Sequence, residues 1–383
     1  RGNGMLAALR DTRAGRLAAA LGYKTAVWAT DLATRGLPSY SRLFLLPDAP
    51  NWVLNEEMRE LADIAAALGI CLGNRRLVHG ARRQSVFYAS QFALLGERWL
   101  EIPRRVAVAY FHGLPGTGEP AFDAAYERIR RHHGHIHRVQ TSHAQIRDVV
   151  LGTGIAPHKV FLIPIGINLE FFKPRNRASR LAARRKYSIP ESAVVVGSFQ
   201  KDGVGWAEGM IPKLIKGPDV FVRTIELLKS RVPELLVLLS GPARGYVKAG
   251  LERLGVPYRH CYLKDYQEIG ELFHSLDLYI VASRQEGGPK AILEAMACGV
   301  PLVTTRVGQA MDLVRHGENA WMVEVEDTEG LAHYAEQALA HPDSLAPMLE
   351  QGRRTAEANA YPAQIPLWRA FMDGFVNRAP SPP

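Results

Sequence analysis

The sequence predicts an α/β fold made of two doubly wound domains that face each other across a cleft. Three observations carry that expectation. Short apolar runs with the length of buried strands alternate with amphipathic helical segments, the pattern of parallel sheets covered on both faces. A Pro- and Gly-bearing stretch followed by a basic run, between Pro164 and Lys186, interrupts the alternation near the middle. At 383 residues, 47% hydrophobic and 22% charged, the chain is long enough for two cores and too apolar to be disordered.

In chain order, residues 5–21 read as a helix and 24–29 as a buried strand. Residues 56–68 form an amphipathic helix, 85–88 and 106–111 apolar strands, and 121–132 a helix. Residues 138–141 are a strand, Ser142 is placed to cap the helix that runs to Leu151, and 160–163 is the last strand before the break. Beyond it, strands are expected at 194–199, 235–240, 262–263, 278–281 and 302–305. Helices are expected at 219–232, 246–254, 267–275, 289–298, 331–340 and 366–375. The units are thus residues 1–170, residues 171–365, and a closing helix with tail, 366–383. Gly2 and Gly4 precede the first helix with no strand ahead of them, so an initial strand is expected upstream of residue 1.

The net charge of +9 is uneven. Residues 1–173 carry 22 Lys and Arg against 14 Asp and Glu, a balance of +8, and the remainder carries +1. The basic residues are dispersed rather than gathered on one helix or arm, which argues against nucleic acid as a partner. No apolar run reaches the roughly 18 residues of a membrane-spanning helix, and residues 1–4 lack the apolar core of a signal peptide. Three widely spaced cysteines (Cys71, Cys261, Cys298) argue against a disulfide framework and for a cytoplasmic protein.

Ligands of doubly wound sheets bind at the carboxyl ends of strands, so the loops there are the candidates for chemistry. The first runs from Ser283 to Pro301. Pro289 is suited to the first helical position and Gly299 to the helix end. Gly287 and Gly288 clear the helix start for a ligand, where free amides form an anion site. Glu286 and Glu294 flank that site. Two carboxylates alone would fit a capped helix with solvated glutamates. Beside a phosphate site they suit hydroxyls on either side of a diphosphate, as in a nucleotide sugar. The second loop, 197–219, is long, and long ordered loops are usually functional. Lys216 stands just before a helix, where a cation opposes the helix dipole unless an anion is bound, and Lys201 could serve the same anion. The third candidate is His112, at the end of an apolar strand and expected to point into the crevice. His132, His133, His135 and His137 cluster in sequence without matching a defined zinc spacing.

At these residues the chain resembles the family-4 retaining glycosyltransferases of the GT-B fold. The resemblance is most specific at Glu286-x7-Glu294 with the following Ala295-Met-Ala-Cys-Gly-Val-Pro301. It extends to Lys216-Gly217, the His112 strand, the linker-like segment Ile163 to Pro174, and Gly2 and Gly4, which look like the family's glycine loop. It implies two Rossmann-like domains, a donor bound mainly by the second, and a last helix that crosses back to the first. Glu286 would hold the donor sugar and Glu294 the ribose. Lys216 and the amides around Gly288, Pro289, Lys290 and Ala291 would hold the diphosphate. His112 would line the reaction centre, and Leu263 and Lys264 the nucleobase. Two departures stand out: Ser198 occupies a position where the family usually has Arg, leaving Lys201 to supply the charge, and Gly288-Pro289 replaces the usual Phe-Gly, which removes one amide.

The expected activity is transfer of a sugar from a nucleoside-diphosphate sugar to an acceptor hydroxyl with retention, in cell-surface polysaccharide or glycolipid synthesis. His112, Lys216 and Glu286 are the expected catalytic residues, with no cofactor and no metal. The basic first half suggests a carbohydrate or lipid-linked acceptor and a place on the cytoplasmic face of an anionic membrane. A sugar-nucleotide epimerase of the same fold and a non-catalytic sugar-nucleotide-binding protein are the alternatives.

Overall fold

The computed structural model describes residues 38–47, 52–74, 82–96 and 99–377, with isolated positions between 21 and 32. Two six-stranded sheets dominate it, and every strand pair is parallel.

The first sheet holds β1 (Arg42–Leu46), β2 (Cys71–Leu72), β3 (Ser85–Tyr88), β4 (Arg105–Tyr110), β5 (Ile136–Thr141) and β6 (Val160–Leu162), in the spatial order β2-β1-β3-β4-β5-β6. Helix α1 (Trp52–Ala67) covers one face. Its Leu61, Ile64 and Ala65, with Leu68 just beyond, recur at helical spacing and are buried against Leu43 and Phe87. Helices α2 (Pro120–His132) and α3 (Ala144–Leu151) cover the other through Ala125, Ile129, Ile146 and Val150.

After α4 (Arg177–Lys186) the second sheet begins. It comprises β7 (Val194–Ser198), β8 (Leu235–Ser240), β9 (Tyr258–Cys261), β10 (Leu278–Val281), β11 (Leu302–Thr305) and β12 (Trp321–Val323), in the order β12-β11-β10-β7-β8-β9. Its helices are α5 (Pro218–Lys229), α6 (Gly245–Leu254), α7 (Ile269–His274), α8 (Lys290–Cys298), α9 (Ala310–Leu313), α10 (Thr328–Ala340) and α11 (Ala346–Ala358). Residues of α5, α6 and α10 pack on one face and those of α7 and α8 on the other. β8 and β10 are buried along their whole length, as their unbroken apolar runs require of central parallel strands.

Helix α12 (Ile365–Met372) returns to the first sheet. Trp368, Phe371, Met372 and Phe375 enter the core with Leu43 and Phe87. Ser85 Oγ donates to the Phe375 carbonyl at 2.6 Å, and Arg138 donates to the carbonyls of Phe371 at 3.2 Å and Asp373 at 2.9 Å.

Several expectations need correction. Thr25 and Trp28, inside the expected strand 24–29, are helical and exposed, and the rest of that segment lies outside the described residues. His143 rather than Ser142 occupies the cap position of α3, because the Ser142 hydroxyl donates to the Gly287 carbonyl at 3.1 Å instead. The strand expected at 262–263 lies at β9, four residues earlier, where it pairs with β8. Pro289 is the cap of α8, and the helix proper starts at Lys290. β1, β2, β12, α4, α9 and α11 were not anticipated. In α4 the buried residues are Ala183 and Arg184, the latter fully buried and bonded to Asp277 at 2.7 Å, so the segment lacks an apolar stripe.

Candidate active site

The loop from Ser283 to Pro289 follows β10 and leads into α8. Buried Ser283 donates through Oγ to Glu286 Oε1 at 2.9 Å, and Glu286 Oε2 accepts from Lys216 Nζ at 2.5 Å. Lys216 ends a short 3-10 turn, Leu214–Lys216, in the long loop after β7. The amides of Arg284 and Gln285 donate to the Ile215 carbonyl at 2.9 and 3.0 Å, which ties the two loops together. The Arg284 guanidinium clamps Asp219 at the start of α5, 2.7 Å away, and so fixes the turn from below. The ion pair therefore sits on two mutually braced loops at the carboxyl edge of the sheet.

Gly287 and Gly288 also have a packing reason that the sequence did not show. A Cβ on Gly287 would lie 1.1 Å from the Phe111 carbonyl, and one on Gly288 would lie 2.3 Å from Ile165 Cδ1. Both contacts come from the segment that precedes α4, so the glycine pair lets the first sheet's cleft edge approach. Gly288 also lines the cavity beside it.

That cavity is open and has a volume of about 270 Å³. Lys216, Glu286, Pro289, Lys290, Ala291 and Glu294 line it, which gathers the expected donor residues in one place. Glu294 is 4% exposed and accepts a hydrogen bond from the hydroxyl of buried Tyr266. Burial raises its pKa, and the nearby Lys290 ammonium partly opposes that rise. Lys290 points toward the first sheet: Nζ bonds Glu57 of α1 and the Tyr361 hydroxyl, 3.0 Å away, and lies over the Tyr266 ring at 5.1 Å. The first-turn amides of Lys290 and Ala291 have no intrahelical acceptor, which leaves α8 a small anion-binding end.

His112 lies two residues beyond β4 and is not among the residues that line the cavity. Its ring stacks on Phe92 with centroids 5.0 Å apart and lies 4.4 Å from Phe111. The Phe111 and His112 amides donate to Gln91 Oε1 at 2.9 and 3.0 Å, which locks the strand end. His112 Nε2 is buried without a hydrogen-bond partner. Burial, helped by the charges of Lys216 and Lys213, pushes its pKa down to about 3, so the imidazole is neutral at physiological pH.

Other expected residues divide. Lys201 lines the cavity, donates to the Gly203 carbonyl at 3.2 Å and lies 4.8 Å over the Trp206 ring. Ser198 does not line it; it is buried and held by Arg244, which donates to its carbonyl at 2.6 Å and its hydroxyl at 3.2 Å. Leu263 and Lys264 lie in the loop after β9, and the cavity wall there is formed by Tyr266 and Ile269 instead. Gly2 and Gly4 lie outside the described residues. Among the described residues no three His, Cys, Asp or Glu side chains converge as a metal site, the histidine tract included.

Sequence reasoning missed Lys213, Trp206 and Tyr266. Lys213 titrates low because it is buried and repelled by Lys216 and Lys201, so three lysines share one neighbourhood with Glu286. Its spacing from Lys216 on one loop was the available signal. Tyr266 offered none, since its role depends on α7 meeting α8.

Residues 202–341 match the model of the family Glycosyl transferases group 1. The chain is 26% identical over 215 residues to a putative glycosyltransferase, EpsD, of Bacillus subtilis, covering 55% of this chain and 54% of that one. It is 32% identical over 184 residues to a D-inositol 3-phosphate glycosyltransferase of Stackebrandtia nassauensis, covering 45% and 39%. It thus spans about half or less of the curated relatives it matches. Among solved structures, Anabaena Alr3699/HepE in complex with UDP-glucose superposes with a TM-score of 0.69 at 17% identity, over 87% of this chain and 99% of that one. A glycosyltransferase from Rickettsia africae superposes with a TM-score of 0.63 at 15% identity, over 89% and 100%. The fold is GT-B, with two Rossmann-like parallel sheets.

Proposed function

We propose that this chain is a retaining glycosyltransferase that moves a sugar from a nucleoside-diphosphate sugar to an acceptor hydroxyl, in polysaccharide or glycolipid synthesis. The observation that carries the proposal is the Lys216–Glu286 pair at an open cavity, beside the start of α8 and near enough to the neutral His112 for the Lys216 charge to act on it. The family match over 202–341 supports the activity, and the UDP-glucose complex of HepE makes a uridine diphosphate sugar the first donor to test.

Lys216 and the α8 amides take the diphosphate, Glu286 the hydroxyls of the sugar, and Glu294 those of the ribose. The bond between the anomeric carbon and the phosphate oxygen breaks, and the oxygen keeps the electron pair. The acceptor hydroxyl attacks from the same face and gives its proton to that oxygen. Preorganised donors of this kind are each worth about 3 kcal/mol in a transition state. The neutral imidazole of His112 hydrogen-bonds the transferred sugar without adding a charge. Lys201, Lys213 and Lys216 neutralise the leaving group, so no metal is required.

The acceptor side is the basic first half, and a cytoplasmic protein at an anionic membrane face suits its balance of +8. Among the described residues no helix is long and apolar enough to cross a membrane. The test incubates the protein with UDP-, GDP- and ADP-sugars and candidate acceptors, with and without chelator, and reads the product's anomeric configuration by NMR. Retained configuration at an undiminished rate in chelator is expected. Inversion, metal dependence, or conversion of the donor without acceptor would overturn the proposal.

A further inference from the structure

The loop between β7 and α5 folds into an ordered hairpin that neither the fold nor the catalytic groups call for. Gly203 and Pro212 pair as an antiparallel bridge, and the Val204 amide donates to the Ile211 carbonyl at 2.9 Å. Its base is bolted to the loop after β8. Asp202 meets Arg244 at 3.0 Å with both side chains buried, and the amides of Gly245 and Tyr246 donate to the carbonyls of Glu208 at 2.7 Å and Gly209 at 3.0 Å. Gly209 has φ +76°, and a Cβ there would meet the Ala243 carbonyl at 2.4 Å, so only glycine lets the hairpin lie this flat.

On this anchored base stand exposed apolar side chains, Val204, Trp206, Met210 and Ile211. Of these only Trp206 lines the cavity, and it does so while 69% exposed. Lys201 lies 4.8 Å from its ring centroid, which orients the indole. A large aromatic held open to water at a cavity wall is a surface prepared for a flat partner.

The position along the sheet edge says which partner. Glu286 follows β10, Lys216 follows β7, and the hairpin rests on the loop after β8, with Gly241 and Pro242 beside Trp206 on the cavity wall. Neighbouring strands are about 4.8 Å apart, so the strand end on which the hairpin rests lies roughly 10 Å from the one that carries Glu286. A nucleotide sugar laid with its sugar at Glu286 and its diphosphate at Lys216 extends its base toward β8.

We propose that Trp206, set by the 203–212 hairpin and oriented by Lys201, stacks on the nucleobase of the donor and is a specificity-determining wall of the cavity. This rests on the donor assignment made above. The test measures binding of UDP, GDP, ADP and inorganic pyrophosphate to the full chain and to Trp206→Ala, Trp206→Phe and Ile211→Ser. For the nucleoside diphosphate that binds best, Trp206→Ala should lose about tenfold in affinity, as loss of one base–aromatic stack does. Pyrophosphate affinity should stay within about twofold, since a stack contributes nothing to it. Trp206→Phe should recover most of the loss, Ile211→Ser should match wild type, and the nucleotide should change the indole emission of wild type more than that of Trp206→Phe. Undiminished nucleotide affinity in Trp206→Ala, or equal losses for nucleotide and pyrophosphate, would overturn the stacking role. Failure of wild type to bind any of the three nucleotides would instead overturn the donor assignment beneath it.

Discussion

The two edges that meet at the cleft are built from opposite materials. The second sheet's edge concentrates charge: Lys216 on Glu286, Lys201 and Lys213 nearby, and Glu294 held by Tyr266. The first sheet's edge offers a neutral imidazole packed on Phe92 and Phe111. A diphosphate needs the first kind of surface, since its charge must be matched at close range. The reacting carbon needs the second, because a cation beside it would oppose positive charge developing at the sugar. Under the proposed transfer, the two sheets divide the work, one holding charge and one shaping a neutral pocket.

The comparison breaks most sharply at Glu286. In Glu286→Ala, kcat should fall on the order of a thousandfold while the melting temperature stays within a few degrees, because the residue serves the ligand more than the core. Near-normal transfer would remove the charged edge from the mechanism. The joint between the edges comes next. Lys290→Met strands Glu57 beside Tyr361, so urea unfolding should register a loss of about 3 kcal/mol. Unchanged stability would mean that the joint is ornamental. Lys216→Met should cost about a hundredfold in kcat, measured with saturating donor.

The smallest effect sharpens the neutral edge. His112 titrates at about 3 when folded and near its ordinary 6.5 when unfolded. The unfolded chain therefore binds the proton first. Stability is full above pH 6.5 and declines steadily as pH falls toward 3, by about 2 kcal/mol between pH 7 and pH 5 from this group alone. His112→Gln should flatten that decline by the same amount in unfolding titrations at the two pH values. Equal slopes would show that the imidazole is solvated.

How much of this was legible depended on which interactions were local. Strands 85–88, 235–240, 278–281 and 302–305 were read to the residue because each is an apolar run bounded by a turn. Glu286, Glu294 and Lys216 were legible because cap, glycine pair and spacing are sequence features. The close packing of Gly287 on Phe111 was not, since Phe111 is far away in the chain. Helix α4 was hidden because only Ala183 and Arg184 are buried in it, and the guanidinium neighbour of Ser198 was hidden because it arrives from the loop after β8. Lys290 was read as an amide donor, whereas its side chain spans the two sheets.

The most direct measurement is thermal unfolding of wild type and Lys216→Met titrated with UDP, GDP and ADP. One of the three should stabilise wild type saturably, by about 2.7 kcal/mol at a hundred times its Kd, and the same concentration should stabilise Lys216→Met far less. No shift in wild type with any of them, or an equal shift in both proteins, would contradict a diphosphate held at the charged edge.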